Sequence, residues 1–594
     1  MLRTHTCGEL RAEDAGKQVS ICGWVQVVRN HGGLIFLDLR DRYGVTQVSV
    51  LPEENQKLAD EVESLTRESV IGVKGTVVKR PVAAENPNIS TGQIELKAES
   101  VTVFTRAENI LPVEVSDDKR TSEETRLKYR YIDLRRPSLQ RYMERRHVIT
   151  ETIRETLGAM GFLDIQTPVL VRSTPEGARD FVVPSRRYPG KFFALPQSPQ
   201  LYKQLLMIAG FDRYYQIAPC FRDEDQRADR QLMFSQVDLE MSFCDEEDIF
   251  AVIEKVVRDA FMAGLGAEVK APFERLTYKE AMDRFGSDKP DLRFALELKD
   301  VTEIAAGSDF EVFKAAAAAG GRIRALAAPG CASFTRKEVD ELTELAKNYR
   351  AKGLVALKCA EGALHGSVAK FLQDEVQRSI IAATGAKDGD MLFMTADKES
   401  VSAVALGQVR KALGKKLELI PKDVFRFCWI TDFPMFEWNE EDNKWDAMHH
   451  IFTSPKAEHL EFMEKEPGKV LGRLYDLVMN GSELGSGSIR ISDPALQRRV
   501  MAVIGMPYEQ AESKFGFLLK AYNYGAPVHG GIALGLDRLL AMMFDLDNLK
   551  DVIAFPQNST GVSLVDECPN YIDRKQWEEL HIMPDSIAKQ NIEQ

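Results

Sequence analysis

The sequence lacks what a membrane or secreted protein is built from. No window of its 594 residues approaches an apolar run long enough to span a bilayer. The start, MLRTHTCGELRAEDAG, has neither the apolar centre of a signal peptide nor the freedom from acidic residues of a transit peptide. The expectation is a cytoplasmic chain with no membrane partner. Cysteine is sparse: Cys7, Cys22, Cys220, Cys244, Cys331, Cys359, Cys428 and Cys568 form no CxxC pair, which argues against a zinc site or a disulfide framework and for reduced, structural thiols. Positive charge is in deficit, 77 Lys and Arg against 90 Asp and Glu, for a net charge of −13. A surface of that sign repels phosphate, so indiscriminate nucleic-acid binding, DNA included, is not expected; an RNA held by local basic patches stays open.

What remains is 44% hydrophobic and 28% charged, the balance of a globular protein, over a length that suits about two to four domains. Residues 18 to 104 alternate in five short runs, QVSICGWVQVV, GLIFLDLRD, VTQVSVLP, SVIGVKGTVVK and GQIELKAESVTVF, with a helical stretch near 53 to 65 between the third and fourth. Three strands, a helix and two strands is the order of an OB-fold barrel. In the second run Ile35, Leu37 and Leu39 take the apolar phase, leaving Phe36 on the polar face with Asp38 and Arg40. There it either offers an unpaired base a stacking platform or covers a neighbouring loop. The same alternation puts Gln47 and Glu95 on the outer face.

From 105 to 136 periodicity gives way to charge, as in a hinge between domains. A long helix over 139 to 160 stops at Gly161, and FLDIQTPVLV reads as a strand interrupted by Pro168, hence an edge or interface strand. After the polar loop TPEGARDF, Ser198 and Pro199 start a helix that Gly210 ends; Leu201, Leu205 and Ile208 form its apolar stripe and leave Gln200 and Lys203 on another face. RYYQIAPCFRDEDQRADRQLMFSQVDLEMSF, 213 to 243, then reads as two strands around a charged loop. In its second strand Val237, Leu239, Met241 and Phe243 alternate with Gln236, Asp238, Glu240 and Ser242, so one face must meet water or a ligand. Alanine-rich helices and short strands over about 287 to 424 suggest an independent α/β module, without a nucleotide loop or nucleophile motif to state its role. Beyond it come His449 and His450 in MHHIFTSP, Asp476 on a strand-like run, Glu483, Gly485, Gly487, Ser488 and Arg490, and a glycine-rich strand entering a helix that carries Arg538. Glycines admit a ligand to the backbone, and a helix start beside an arginine attracts phosphate.

The strand breaking at Pro168, FRDED in the hairpin and GLDR at a strand-to-helix junction together resemble the three motifs of class II aminoacyl-tRNA synthetases. TPEGARDF, QSPQLYKQ, RFGSDKPDLRF, MHHIFTSP and GSELGSGSIRI look like the bacterial-type aspartyl-tRNA synthetases, over essentially the whole chain. The resemblance implies an α+β multidomain protein: an OB-fold anticodon-binding domain at 1 to 104, a hinge at 105 to 136, a class II antiparallel-sheet catalytic domain at 137 to 286 and 425 to 594 with a C-terminal extension, and an inserted bacterial-type (GAD-like) α/β domain at 287 to 424.

It also implies the roles. ATP and Mg2+ serve the activation of L-aspartate, with Arg222 on the α-phosphate and Arg538 on the outer phosphates and adenine, the two catalytic arginines. Glu224, Arg230, Gln231 and Phe234 complete the ATP site with Glu483, and Asp476 with Glu483 holds the metal. Glu176, Ser198, Gln200, Lys203, Asp238, His449, His450 and Arg490 surround aspartate: Arg490 and Lys203 meet its side-chain carboxylate, while Asp238, Gln200 and Ser198 accept from its ammonium. The aspartyl group then passes to the 3′ end of tRNA-Asp with no obvious side-chain base. Arg29, Phe36, Gln47 and Glu95 match anticodon-reading positions. His31 matches a position where relatives that charge both tRNA-Asp and tRNA-Asn often carry His and strictly specific ones often carry Leu, so charging extends to tRNA-Asn. The family forms homodimers through motif 1. Two other readings, an asparaginyl-type or lysyl-type enzyme and a non-catalytic tRNA-binding paralogue, sit poorly with the double cation Lys203 and Arg490 and with the intact Arg222, Glu483 and Arg538. An aspartate-ammonia ligase would lack the barrel.

Overall fold

A computed structural model describes residues 2–117, 121–174, 177–583 and 585. The chain divides into two compact units, Met1–Glu144 with Lys550–Asn570, and Arg145–Leu549 with Tyr571–Gln594.

In the first unit alternation dictates a barrel. Strands Gln18–His31, Leu34–Asp41, Gly44–Val50, Ile94–Thr105 and Val70–Lys79 neighbour one another in that order and close. Ile35, Leu37 and Leu39 point inward at 1% exposure or less and share one core with Val48, Ile71, Val73 and Leu96. The helix Gln56–Glu63, capped by the Asn55 side chain on the Leu58 N–H, adds Leu58, Ala59 and Val62 to that core. The charged stretch after the barrel contains two short helices, Glu123–Lys128 and Arg130–Asp133. What is buried there is charge: Asp133 accepts from Arg130 at 2.7 Å and Arg136 at 3.1 Å, and Arg130 also donates to the carbonyls of Lys550, Ile553 and Ala554. A search for apolar periodicity does not see such an element.

The second unit is organised on an eight-stranded sheet, in the order Glu274–Thr277, Phe427–Thr431, Leu474–Met479, Ser482–Ile489, His529–Gly535, Met233–Ser242, Arg213–Phe221 and Leu163–Asp164. Only the outermost pair at each end is parallel. Leu163–Asp164 is an edge strand that ends before Pro168, consistent with a proline that cannot donate to a ladder. On one face packs the helix Glu246–Leu265, opened by an Asp245/Asp248 capping box and closed by Gly266 at φ 65°. Its Phe250 stacks on Trp429 at 4.1 Å and meets Tyr475 edge-on.

The opposite face is polar and floors the site. Antiparallel partners share a face, so the register puts Asp238, Ala533, Ser486 and Asp476 in one row across four strands and Glu240, Gly531 and Ser488 in the next. Val237, Leu239 and Met241 are buried as the alternation requires, but Phe243 is not: the strand ends at Ser242, and Phe243 sits at φ 55° with 77% exposure. The helix Gln200–Ile208 also departs from its amphipathic reading. Leu201, Leu205 and Ile208 do pack on a core with Phe515 and Leu518, yet Gln200, Lys203 and Gln204 on the polar side are buried as well, because that side faces the sheet.

Residues 299 to 397 form a separate five-stranded sheet, Lys299–Asp300, Arg322–Ala328, Met391–Asp397, Val355–Ala360 and Ala363–His365, antiparallel at every pairing. Arg322–Ala328, RIRALAA, escapes the sequence reading because alanine and arginine carry no strand preference. All eight cysteines are free thiols, and no helix among the described residues is long and apolar enough to cross a membrane.

Candidate active site

Small residues open the sheet's polar face. A Cβ on Gly531 would lie 2.0 Å from a carboxylate oxygen of Glu240, so glycine at this position makes room for a buried carboxylate. Above them lies a cavity of about 800 Å3, lined among others by Ser198, Gln200, Lys203, Arg222, Glu224, Arg230, Gln231, Phe234, Asp238, His449, His450, Glu483, Arg490 and Arg538. Sequence reasoning named every one of these, from segments scattered over more than three hundred residues.

The deepest cluster is ionic. Lys203 Nζ donates to Asp238 Oδ1 at 2.7 Å and lies 3.2 Å from Glu240 Oε2. Arg490 Nε and Nη2 grip Glu240 at 2.9 and 3.1 Å, while Nη1 reaches Ser488 Oγ at 2.7 Å and His450 Nε2 at 2.6 Å. The bidentate grip expected for a ligand carboxylate is thus made to Glu240, which sequence reasoning left on the polar face without a role. Burial works to raise the Glu240 carboxyl, but Arg490 and Lys203 outweigh it and hold it at about 2. Asp238, for which burial outweighs Lys203, is shifted upward. Burial, reinforced by the Arg490 charge, pushes the His450 imidazole well below its ordinary value and keeps it neutral. Asp238 Oδ2 and Gln200 Nε2 are buried with no partner in the protein, one acceptor and one donor ready for a polar ligand.

A second cluster gathers cations and an aromatic. Arg222, at the mouth of the hairpin loop, lies over the Phe234 ring at 5.0 Å. Arg538, on the helix Leu536–Met543, donates to the Glu483 carbonyl at 2.8 Å. Neighbouring Asp537 accepts from the Ser235 N–H and pairs with Arg146, locking that helix to the hairpin. Glu224 and Arg230 pair at 3.2 Å across the loop, and Gln231 is nearly buried, bonded to Gln226.

Asp476 is buried beside His449, 3.6 Å from its Nε2, with Oδ1 lacking a hydrogen bond; Glu483 is held by Lys289 at 3.2 Å. Burial lowers the His449 imidazole, yet Asp476 and Glu483 prevail and shift it upward. Among the described residues no group of three or more His, Cys, Asp or Glu could hold a metal alone. Two carboxylates, one with a free buried oxygen, do fit Mg2+ that takes its other oxygens from phosphate and water. Glu176 lies outside the described residues; the loop around it is tied by Ser173 and Thr174 to Asp180 and by Gln197 to Ala178.

In the first unit the barrel residues share the outer face. Arg29 grips Asp38 bidentately at 2.7 and 2.8 Å and stands opposite Phe36; Gln47 stands opposite Asp38 and donates to Glu95 at 2.9 Å. The His31 ring lies 6.2 Å from that of Phe36. Sequence reasoning missed Glu240, Lys289 and Lys411 as site residues; for Glu240 the signal was its place in the alternation with Asp238.

Residues 122–559 match the family model of class II tRNA synthetases (D, K and N), and residues 19–104 match that of the OB-fold nucleic acid binding domain. The chain is 50% identical over 583 residues to the aspartate-tRNA(Asp/Asn) ligase of Caldanaerobacter subterraneus subsp. tengcongensis, with 98% of each covered. It is 47% identical over 589 residues to the aspartate-tRNA ligase of Ruminiclostridium cellulolyticum, covering 99% of this chain and 98% of the relative. Among solved structures, asparaginyl-tRNA synthetase from Pyrococcus horikoshii complexed with asparaginyl-adenylate shares the fold, with a TM-score of 0.59, 20% identity, and coverage of 94% of this chain and 98% of that one. With three quarters of its length inside one family and full-length relatives at half identity, the chain belongs to the class II tRNA synthetases of the D, K and N group.

Proposed function

We propose that the chain activates L-aspartate with ATP and passes the aspartyl group from the adenylate to the 3′ end of tRNA-Asp and of tRNA-Asn. One observation carries the amino-acid choice: the cavity floor presents Lys203 and Arg490, fixed by Glu240, beside the unpartnered Asp238 oxygen. A side-chain carboxylate meets two cations there while an ammonium meets Asp238, with Gln200 and Ser198 alongside. Asparagine would leave the cations short of a charge, and lysine would be repelled.

Activation brings the α-carboxylate of aspartate onto the α-phosphate of ATP and expels pyrophosphate. Both groups are negative, so Arg222 and Arg538 lower the barrier by charge, and Phe234 stacks on the adenine with Glu224, Arg230 and Gln231 around it. Asp476 and Glu483 would hold Mg2+, which when bound neutralises phosphate charge. Neutral His450 positions Arg490 without adding a third cation, and His449 and Glu176 close on the amino acid.

In this reading 1 to 104 reads the anticodon through Arg29, Phe36, Gln47 and Glu95, 105 to 136 joins it to a catalytic domain of 137 to 286 and 425 to 594, and 287 to 424 is an insertion. His31 supports relaxed tRNA choice, as does the Asp/Asn specificity named for the relative at 50% identity. The chain works in the cytoplasm as a homodimer through the edge around Leu163, supported by exposed Leu163 and Leu170. Charging purified tRNA-Asp and tRNA-Asn, with pyrophosphate exchange for aspartate and asparagine, tests the whole. Exchange with aspartate alone and charging of both tRNAs is expected; exchange with asparagine overturns the amino-acid assignment, and no charging of tRNA-Asn overturns the relaxed specificity.

A further inference from the structure

Two lysines line the same cavity from the stretch between hairpin and glycine strand, whose part in the chemistry the sequence leaves blank. Lys289 sits just after the helix Tyr278–Phe285, and Lys411 lies on the helix Glu399–Lys416. Lys289 Nζ lies 3.2 Å from a Glu483 oxygen and 3.2 Å from Asp288. Lys411 is exposed and has no ion-pair partner among the described residues. Lys289 thus holds the very carboxylate suited to a divalent ion, while Lys411 brings to the rim an ammonium without a countercharge.

The platform beneath them is rigid. Arg410, next to Lys411, is 3% exposed and donates to the carbonyls of Leu296, Asp291 and Phe294, its guanidinium 4.1 Å over the Phe294 ring. The helix crosses the segment before Lys289 at glycine on glycine, where a Cβ on Gly407 would lie 2.6 Å from the Gly286 carbonyl. The hairpin turn that leads to Glu483, Asn480 and Gly481 at φ 51° and 82°, packs on the same segment, a Cβ on Gly481 falling 3.2 Å from that of Asp291. The backbone that carries both lysines is therefore held against the turn leading to Glu483 through buried contacts, which a lysine on a loose surface loop lacks.

We propose that Lys289 and Lys411 form a clamp for the β- and γ-phosphates of ATP and for the pyrophosphate that leaves. Lys289, which pairs with Glu483 at 3.2 Å, turns to phosphate when the nucleotide binds. The inference rests on the cavity being the ATP site. It assigns the inserted helix a direct part in substrate binding.

Equilibrium binding of an ATP analogue with a non-reactive α,β bridge, of pyrophosphate and of AMP, each with Mg2+, tests it on Lys289→Ala, Lys411→Ala, Lys289→Arg and the unaltered chain. Each alanine variant is expected to bind the analogue and pyrophosphate about tenfold more weakly, the loss of one charge-assisted contact, with AMP binding and melting temperature unchanged. Lys289→Arg should recover most of the affinity. Equal weakening for AMP, or unaltered binding of both outer-phosphate ligands, overturns the clamp. If the unaltered chain itself binds no ATP analogue, it is the reading of the cavity that falls.

Discussion

Glu240 shows what a single residue can hide. Its period-two alternation with Asp238 is visible in the sequence, but its partners Lys203 and Arg490 stand on another helix and another strand, the latter 250 residues away. No local pattern joins them. Buried among two cations, the carboxylate is the countercharge that lets both stay charged inside the protein. Glu240→Gln should therefore cost about 3 to 5 kcal/mol of stability, the range for breaking a buried pair, read by denaturant unfolding at neutral pH. Aspartate-dependent pyrophosphate exchange should fall with it. The acid limb gives an independent check. Because the folded-state carboxyl is depressed to about 2 from an ordinary 4.5, its stabilisation is complete above 4.5 and drains away as pH falls from there towards 2. The gap between the parent and Glu240→Gln should narrow across that window; a gap independent of pH would mean that Glu240 acts by shape alone. His450 carries the same sign: depressed by burial and Arg490, it favours the fold above its ordinary 6.5 and withdraws that contribution as pH falls below it.

At the scale of elements, the legible ones have a solvent side and a core side. The barrel strands follow from alternation, and the long helix Pro137–Ala159 from its length and the left-handed Gly161 beyond it, at φ 81°. Elements that face the site break the rule, since there the polar side is buried. Gln200–Ile208 reads as amphipathic with Lys203 on a face away from its apolar stripe, and that face is buried too, Lys203 at 1% exposure. The glycine strand His529–Gly535 carries the complementary lesson. Its composition weakens a strand, and it stands at the centre of the sheet because Glu240 needs the volume that a side chain would take. Gly531→Ala would set a methyl group 2.0 Å from the Glu240 carboxylate and 2.1 Å from the Leu239 carbonyl, and backbone cannot yield as a flexible side chain does. The expected result is loss of aspartate activation of at least about a hundredfold, with a lowered melting temperature, as overpacking costs about 1 to 3 kcal/mol or more. Gly505→Ala, at φ 69° with open space around its Cβ, serves as the control: backbone strain without a clash at the site, and aspartate activation close to the parent's.

At the scale of the molecule, the two units divide the chemistry of the proposed reaction. In the proposal, the residues assigned to adenylate formation lie between 145 and 549, whereas those assigned to the choice of tRNA, Arg29, His31, Phe36, Gln47 and Glu95, lie on the barrel. That face carries its own internal ion pair and hydrogen bond, Arg29 with Asp38 and Gln47 with Glu95, so its polar groups are held in place before any RNA arrives. Phe36 is the wholly apolar aromatic among them, with a π-face for a base. Phe36→Ala should raise KM for tRNA by the worth of one stacked base, about 1 to 3 kcal/mol or roughly five- to a hundredfold, and leave pyrophosphate exchange untouched. His31→Leu addresses a finer property, since its ring stands 6.2 Å from Phe36 at the end of the same strand pair. Its imidazole can exchange hydrogen bonds with a base edge, whereas leucine offers only bulk. Charging of tRNA-Asn by His31→Leu should fall about tenfold relative to tRNA-Asp, the loss of one such bond, while tRNA-Asp and pyrophosphate exchange hold. An equal fall for both tRNAs would make His31 a support for Phe36 and move the choice between them to another position on the barrel.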